Sequence, residues 1–318
     1  MTMDDDFYLT NLELRESTET GEQASGLSHA SMKGMVLLSV LELAARGEPR
    51  GAVTVLHDVG DSGDRYRAVA TDLAARGWAI ALPDLRGHGR TEGDRGHCAG
   101  LAEICRDVQE IQDHLAYRMP DSPKVLVGQG IGALYAATFA LERPGVVSAL
   151  VLVAPDAEPK FVDPPVPGGL KKLLGKKANP RDLGSLSWRP DQLTGDAEQA
   201  MLWRDSELTH DLITRRAMEE VRRAAADFLP RIGEAGIPVL VLHGAADPIA
   251  SADKSRALAG GQVTVELLAG QRHHPLQDSD APATRARIGD WLDQVLPCLL
   301  YTSPSPRDLS TSRMPSSA

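Results

Sequence analysis

Lys124-Val125-Leu126-Val127-Gly128-Gln129-Gly130-Ile131-Gly132-Ala133 is the stretch whose reading decides the fold. Its first four residues read as a short buried strand, and a helix is expected from Ile131 to Glu142. The glycines between them compress the connection into a sharp turn. Strand, tight turn and helix in this order match the frame Gly-x-Ser-x-Gly, an elbow that lifts a nucleophile above a sheet. The flanking glycines fit because the turn leaves no room for side chains beside it. The central residue of such an elbow ordinarily holds a strained backbone, at about 1–3 kcal/mol. Gly130 stands there, and glycine takes positive φ without that penalty. The turn is therefore kept while its chemistry is removed, since no Oγ is present to attack a carbonyl.

Outward from the elbow, strand-like and helix-like stretches alternate, the pattern of a mostly parallel sheet flanked by helices. Val53 to His57 reads as a buried strand, Asp64 to Arg76 as a helix stopped by Gly77, and Ala79 to Pro83 as the next strand. Leu101 to Tyr117 places Leu101, Ile104, Val108, Ile111 and Leu115 on one helical face. Ala149 to Val153, Pro238 to Leu242 and Val263 to Leu268 read as further strands, and a helix from Thr284 to Val295 closes the domain. Between Ala154 and Pro238 the alternation stops. Residues 155 to about 205 are rich in Pro, Gly and Lys, and a helical stretch is expected from about Glu207 to Phe228. Too long for a connection, this insertion of about residues 155–230 after the sixth strand reads as a cap. It would cover the edge at which open α/β sheets bind ligands.

Two further positions follow the elbow in the order nucleophile, acid, histidine. Asp247 comes just past the strand Pro238 to Leu242, where a carboxylate can orient an imidazole. His273 comes just past the last strand, and its neighbour His274 has the weaker case. The turn Asp84 to Gly89, with His88, reads as structural.

Specific resemblance lies in Arg65-Tyr66, Leu73-Ala74-Ala75-Arg76-Gly77, Asp84-Leu85-Arg86-Gly87-His88-Gly89-Arg90-Thr91-Glu92-Gly93, and the cap stretch from Arg204-Asp205 to Arg216. From about Gly34 to Leu296 the chain resembles bacterial monoacylglycerol lipases and lysophospholipases. That resemblance implies an α/β-hydrolase fold, a triad of nucleophile, Asp247 and His273, a mobile cap, and lipid-like or other apolar ester substrates. It also implies an oxyanion hole built from the backbone N–H groups of Val59 and Ile131. The sequence departs from the family twice. The elbow usually reads Gly-His-Ser-Met-Gly-Gly, and the oxyanion loop usually begins His-Gly where this chain has His57-Asp58-Val59-Gly60. An inward Asp58 carboxylate would oppose the charge such a hole must stabilise; pointing to solvent, it would matter little. The altered loop and serine-free elbow are also similar to the non-enzymatic N-myc-downstream-regulated proteins, although the cap and C-terminal half are less so.

The chain has 318 residues, a formal net charge of −10 and 42% hydrophobic residues, enough for one large core over residues 1–297. The acidity argues against sequence-independent nucleic-acid binding, which needs clustered Lys and Arg. No apolar run approaches the roughly 20 residues of a membrane span, and the acidic start lacks a signal peptide's apolar core. Cys98, Cys105 and Cys298 form no metal-ligand or disulfide pattern; the cytoplasm is the expected compartment, with no cofactor or metal called for. Leu170 to Lys177 could touch an anionic membrane weakly through the cap, but reads first as a solvated basic segment. Residues 298–318 resemble an in-frame translation of a sequencing adapter, and are expected to be an artefact outside the fold.

Three functions follow. The first is a pseudoenzyme that binds a lipid-like small molecule or a partner without turnover. The second is an active ester hydrolase, with Gly130 a sequence error or with water activated by His273 and Asp247. The third is a non-hydrolytic reaction, such as proton abstraction by that pair.

Overall fold

The computed structural model describes residues 6–15, 35–164 and 179–297. Eleven strands are formed by these residues, eight of them in one sheet. They are β1 (Phe7–Arg15), β2 (Met35–Leu43), β3 (Gly51–Leu56), β4 (Trp78–Pro83), β5 (Lys124–Gln129), β6 (Ala149–Val153), β10 (Val239–Gly244) and β11 (Val263–Leu268). Their order across the sheet is β1-β2-β4-β3-β5-β6-β10-β11. From β4 to β11 every pairing is parallel, whereas β1 and β2 form an antiparallel pair at one edge. That pair has no counterpart in the sequence reading, which began its strands at Val53.

Both faces of the central parallel strands are buried, so successive residues enter different cores. Val53, Val55, Val125, Val127, Val151, Leu240 and Leu242 face α1 (Arg67–Ala74) and the closing helix Ala281–Val295. Leu56, Leu126, Leu150, Leu152, Val239 and Val241 face α2 (Leu101–Arg118) and α3 (Ile131–Glu142). Burial on two sides explains why these strands read as unbroken apolar runs rather than as alternation. α3 is buried nearly all round, because the cap closes over the side that the sheet leaves open.

The insertion after β6 differs from its expected form. It carries a small antiparallel sheet of β7 (Phe161–Val162), β8 (Leu183–Leu186) and β9 (Leu212–Thr214), and then α4 (Pro190–Leu193) and α5 (Ala197–Asp205) lie between its second and third strands. The expected helix from Glu207 begins only at α6 (Arg215–Arg223), where the Thr214 hydroxyl caps it by accepting from the Ala217 N–H. A wide π-helical turn (Ala224–Phe228) and then a tighter 3-10 helix (Leu229–Ala235) carry the chain on. Short strands of two to four residues hold too few side chains to set a period, so the sequence pattern does not reveal them. The basic segment Leu170 to Lys177 and the adapter-like residues lie outside the described residues. Among the described residues, no helix is long and apolar enough to cross a membrane.

Candidate active site

Four loops meet at the C-terminal edge of the sheet, following β3, β5, β10 and β11. The elbow after β5 has the expected form: Gly130 sits at φ 57° and ψ −119°, directly before α3. Its neighbours are pinned by contact. A Cβ on Gly128 would lie 2.4 Å from the Gly132 carbonyl oxygen, and one on Gly132 would lie 2.3 Å from that of Leu56. This closeness presses the start of α3 against the loop after β3. The N–H groups of Val59 and Ile131, expected to form the oxyanion hole, consequently converge on one point.

That point is occupied by the chain itself. Asp58 Oδ1 accepts the N–H of Val59 at 2.7 Å and the N–H of Ile131 at 2.8 Å. Of the two orientations open to Asp58 from sequence, the inward one is found, and it goes beyond electrostatic opposition: the carboxylate takes both donors. Its room comes from Gly130, since a Cβ there would fall 2.2–2.4 Å from the Asp58 carboxyl carbon and oxygens. Asp58 therefore fills the space that a side chain at the elbow would need. The loop is tied from behind by His57. Its Nε2 accepts the Leu85 N–H at 2.9 Å, so Nδ1 carries the proton and donates to the Asp58 carbonyl at 2.6 Å.

Asp247 and His273 meet as expected, with His273 Nδ1 2.8 Å from Asp247 Oδ2. The N–H groups of Ile249 and Ala250 hold the other oxygen of Asp247. A second histidine, His243 on β10, brings Nε2 within 3.0 Å of Asp247 Oδ2, while its Nδ1 lies 2.7 Å from the Ser255 hydroxyl. On its far side, His273 Nε2 lies 3.3 Å from Asp58 Oδ2. The imidazole is thus flanked by two carboxylates. Burial works against its charged form, but Asp247 and Asp58 outweigh it and hold His273 well above the ordinary imidazole range. The carboxylates respond in kind. Burial opposes the charge on Asp58, yet hydrogen bonds from His273 and His274 keep its carboxyl well below the usual range. Asp247 is likewise held low against its burial, chiefly by the charge of His273. A histidine kept protonated cannot accept a proton from a nucleophile or from water.

His274, the weaker of the histidine pair in sequence, is part of this cluster: its Nε2 is 3.1 Å from Asp58 Oδ2. Its adjacency to His273 is the only sequence signal for it, because the partner that gives it a role sits 216 residues away. Asp84 bears out the structural reading of its turn, since its carboxylate accepts the N–H groups of Gly63 and Arg90. Cys98 offers no substitute nucleophile, as burial pushes its thiol up to about 12. The cap rests directly on the site loops. His210 donates its N–H to the Gly60 carbonyl at 2.9 Å, and the His274 N–H reaches the Leu193 carbonyl at 2.7 Å. Under it Asp58 and His273 are 1% and 2% exposed, so solvent does not screen their charges.

A parallel sheet with a helix-opening elbow, and an acid and a histidine in order on later loops, define the α/β-hydrolase class. Within that class the chain belongs to the family described as Serine aminopeptidase, S33, which it matches over residues 47–280. It is 25% identical over 250 residues to a monoacylglycerol lipase of Mycolicibacterium smegmatis, covering 77% of this chain and 89% of that one. A monoglyceride lipase homolog of monkeypox virus is 22% identical, covering 73% of this chain and 84% of its own length. The crystal structure of a monoacylglycerol lipase from Paleococcus ferrophilus superposes with a TM-score of 0.67 at 24% identity, over 81% of this chain and 98% of that one. A soluble variant of monoglyceride lipase from Saccharomyces cerevisiae, in complex with a substrate analog, gives 0.70 at 16% identity, over 86% and 96%. The chain is a monoacylglycerol lipase-like α/β-hydrolase.

Proposed function

We propose that this chain is a pseudoenzyme of the monoacylglycerol lipase type, which holds an apolar, lipid-like small molecule or a partner without forming an acyl-enzyme. The observation that carries this reading is Asp58 Oδ1 on the N–H groups of both Val59 and Ile131. A tetrahedral intermediate needs those donors for its developing negative charge, and here a permanent negative charge already holds them. Three requirements of serine hydrolysis are missing together: Gly130 supplies no nucleophile, His273 is no free base, and the hole is filled.

The same contacts weigh against the hydrolytic alternatives. A serine at position 130 would collide with Asp58, so reading Gly130 as an error leaves Asp58 unexplained. Direct activation of water asks His273 Nε2 to face a water molecule, whereas it faces Asp58. The lipid-like ligand class rests on the lipases among the relatives. We assign the chain to the cytoplasm, with any membrane contact weak and made through the cap.

The test uses the full chain, incubated with a fluorophosphonate probe and weighed intact, and assayed on a short-chain p-nitrophenyl ester and a monoacylglycerol. The expected result is no added mass and no turnover above a protein-free control. Removal of a nucleophile alone typically leaves about 10³–10⁴-fold acceleration over water, and a filled oxyanion hole should remove most of that remainder. Probe attached at a site residue, or turnover at the level of a serine hydrolase, would overturn the proposal.

A further inference from the structure

We propose that Asp58, His273 and His274 form a site for one divalent transition-metal ion of the zinc class, with Asp247 orienting one of the ligands. Each residue offers one donor atom, and the three atoms lie within 4.8 Å of one another in a buried cluster. Asp58 Oδ2 stands 3.3 Å from His273 Nε2 and 3.1 Å from His274 Nε2. A four-coordinate ion with bonds of about 2.0–2.2 Å places its ligand atoms about 3.3–3.5 Å apart. The two separations from Asp58 match that spacing to within a few tenths of an ångström, and the two imidazole nitrogens lie within 4.8 Å of each other.

The remaining atoms of these residues prepare them for the role. His273 Nδ1 is held by Asp247 at 2.8 Å, the carboxylate–histidine relation that fixes a metal ligand's tautomer and ring plane. Asp58 Oδ1 is held by two backbone N–H groups, which leaves Oδ2 to bind through one oxygen. His274 Nδ1 is buried with no hydrogen-bond partner, so the ring's one polar contact is the Nε2 that faces Asp58. Two imidazoles and a carboxylate suit zinc, and three protein ligands leave a fourth position open.

The proposal concerns the site of the pseudoenzyme reading but not its chemistry, and binding is read separately from turnover so that the two can fail independently. The full chain, stripped with a chelator and dialysed, is titrated with Co²⁺ as a spectroscopic stand-in for zinc. The expected result is one equivalent bound, with the visible absorption of four-coordinate cobalt, bleached by Zn²⁺. His274→Ala should abolish the band, and Asp247→Asn should weaken binding about 10–100-fold through the orientation of His273. His274→Gln, which keeps a hydrogen-bonding side chain beside Asp58, provides a second loss-of-ligand variant if the alanine variant does not fold. Absence of the band in the unaltered chain would overturn the proposal, as would a band unchanged in both His274 variants. Ester turnover that appears only with bound zinc would uphold the metal site and overturn the reading of a silent scaffold.

Discussion

At the scale of single residues, Gly130 and Asp58 are one change written in two places. The glycine vacates a volume, and the carboxylate enters it and takes the donors that face it. Altering either alone should therefore cost stability. Gly130→Ser adds a Cβ where the backbone is left-handed and the space is filled, and about 1–3 kcal/mol of destabilisation is expected from the crowding. Denaturant unfolding, read as a shift in midpoint at constant slope, checks it. Asp58→Ala leaves a buried imidazolium short of one partner and two backbone N–H groups without an acceptor. A loss of about 3–5 kcal/mol is expected by the same measurement. An Asp58→Ala chain as stable as the parent would mean that the carboxylate does not hold these groups in solution. None of this pairing was visible in sequence. The glycine was, and so was the oddity of Asp58; the direction of a side chain depends on which volume its surroundings leave open.

At the scale of elements, the site is a set of loop ends brought together by parallel strands. Their legibility followed from burial. β5 and β6 start where the apolar runs start, because strands covered on both faces leave few polar residues to blur the ends. The cap strands β7, β8 and β9, partly exposed and very short, left no such trace. The loops carry the pH dependence. Below its unfolded value of about 6.5, His273 contributes its full stabilisation, which is lost as pH rises through the raised folded value. Asp58 and Asp247 contribute fully above about pH 4, and lose that contribution as pH falls through their lowered folded values. Asp156, His243, His274, Tyr66 and Tyr135 also face this cluster. In chelator-treated protein the thermal midpoint should therefore fall as pH rises above about 6.5. Asp58→Asn should flatten that alkaline slope, because His273 then loses one of the two carboxylates in contact with it. An identical slope in the variant would place its origin elsewhere.

At the scale of the whole molecule, the cap acts as a cover fastened to the site loops by backbone hydrogen bonds. Gly60 marks one fastening: its φ is +74°, and a Cβ there would lie 2.1 Å from the His210 carbonyl oxygen. Gly60→Ala should lift the cap locally, so that the His210 amide exchanges hydrogen at least tenfold faster while the amides of β5 and β6 keep their protection. Unchanged exchange at His210 would show that the cap is held mainly by its apolar contacts. The family, the parallel part of the sheet and the order of site positions were readable from the chain, whereas the closure of cap over loops depends on contacts between segments about 80 to 150 residues apart. The central claim, that Gly130 and Asp58 together close a once-hydrolytic site, is met most directly by fluorophosphonate labelling of two variants, read as intact mass. Gly130→Ser alone should take up no probe, because Asp58 still fills the hole and holds His273 protonated. Gly130→Ser combined with Asp58→Gly should take up one probe at position 130. Full labelling of the single variant, or none of a folded double variant, would contradict the claim.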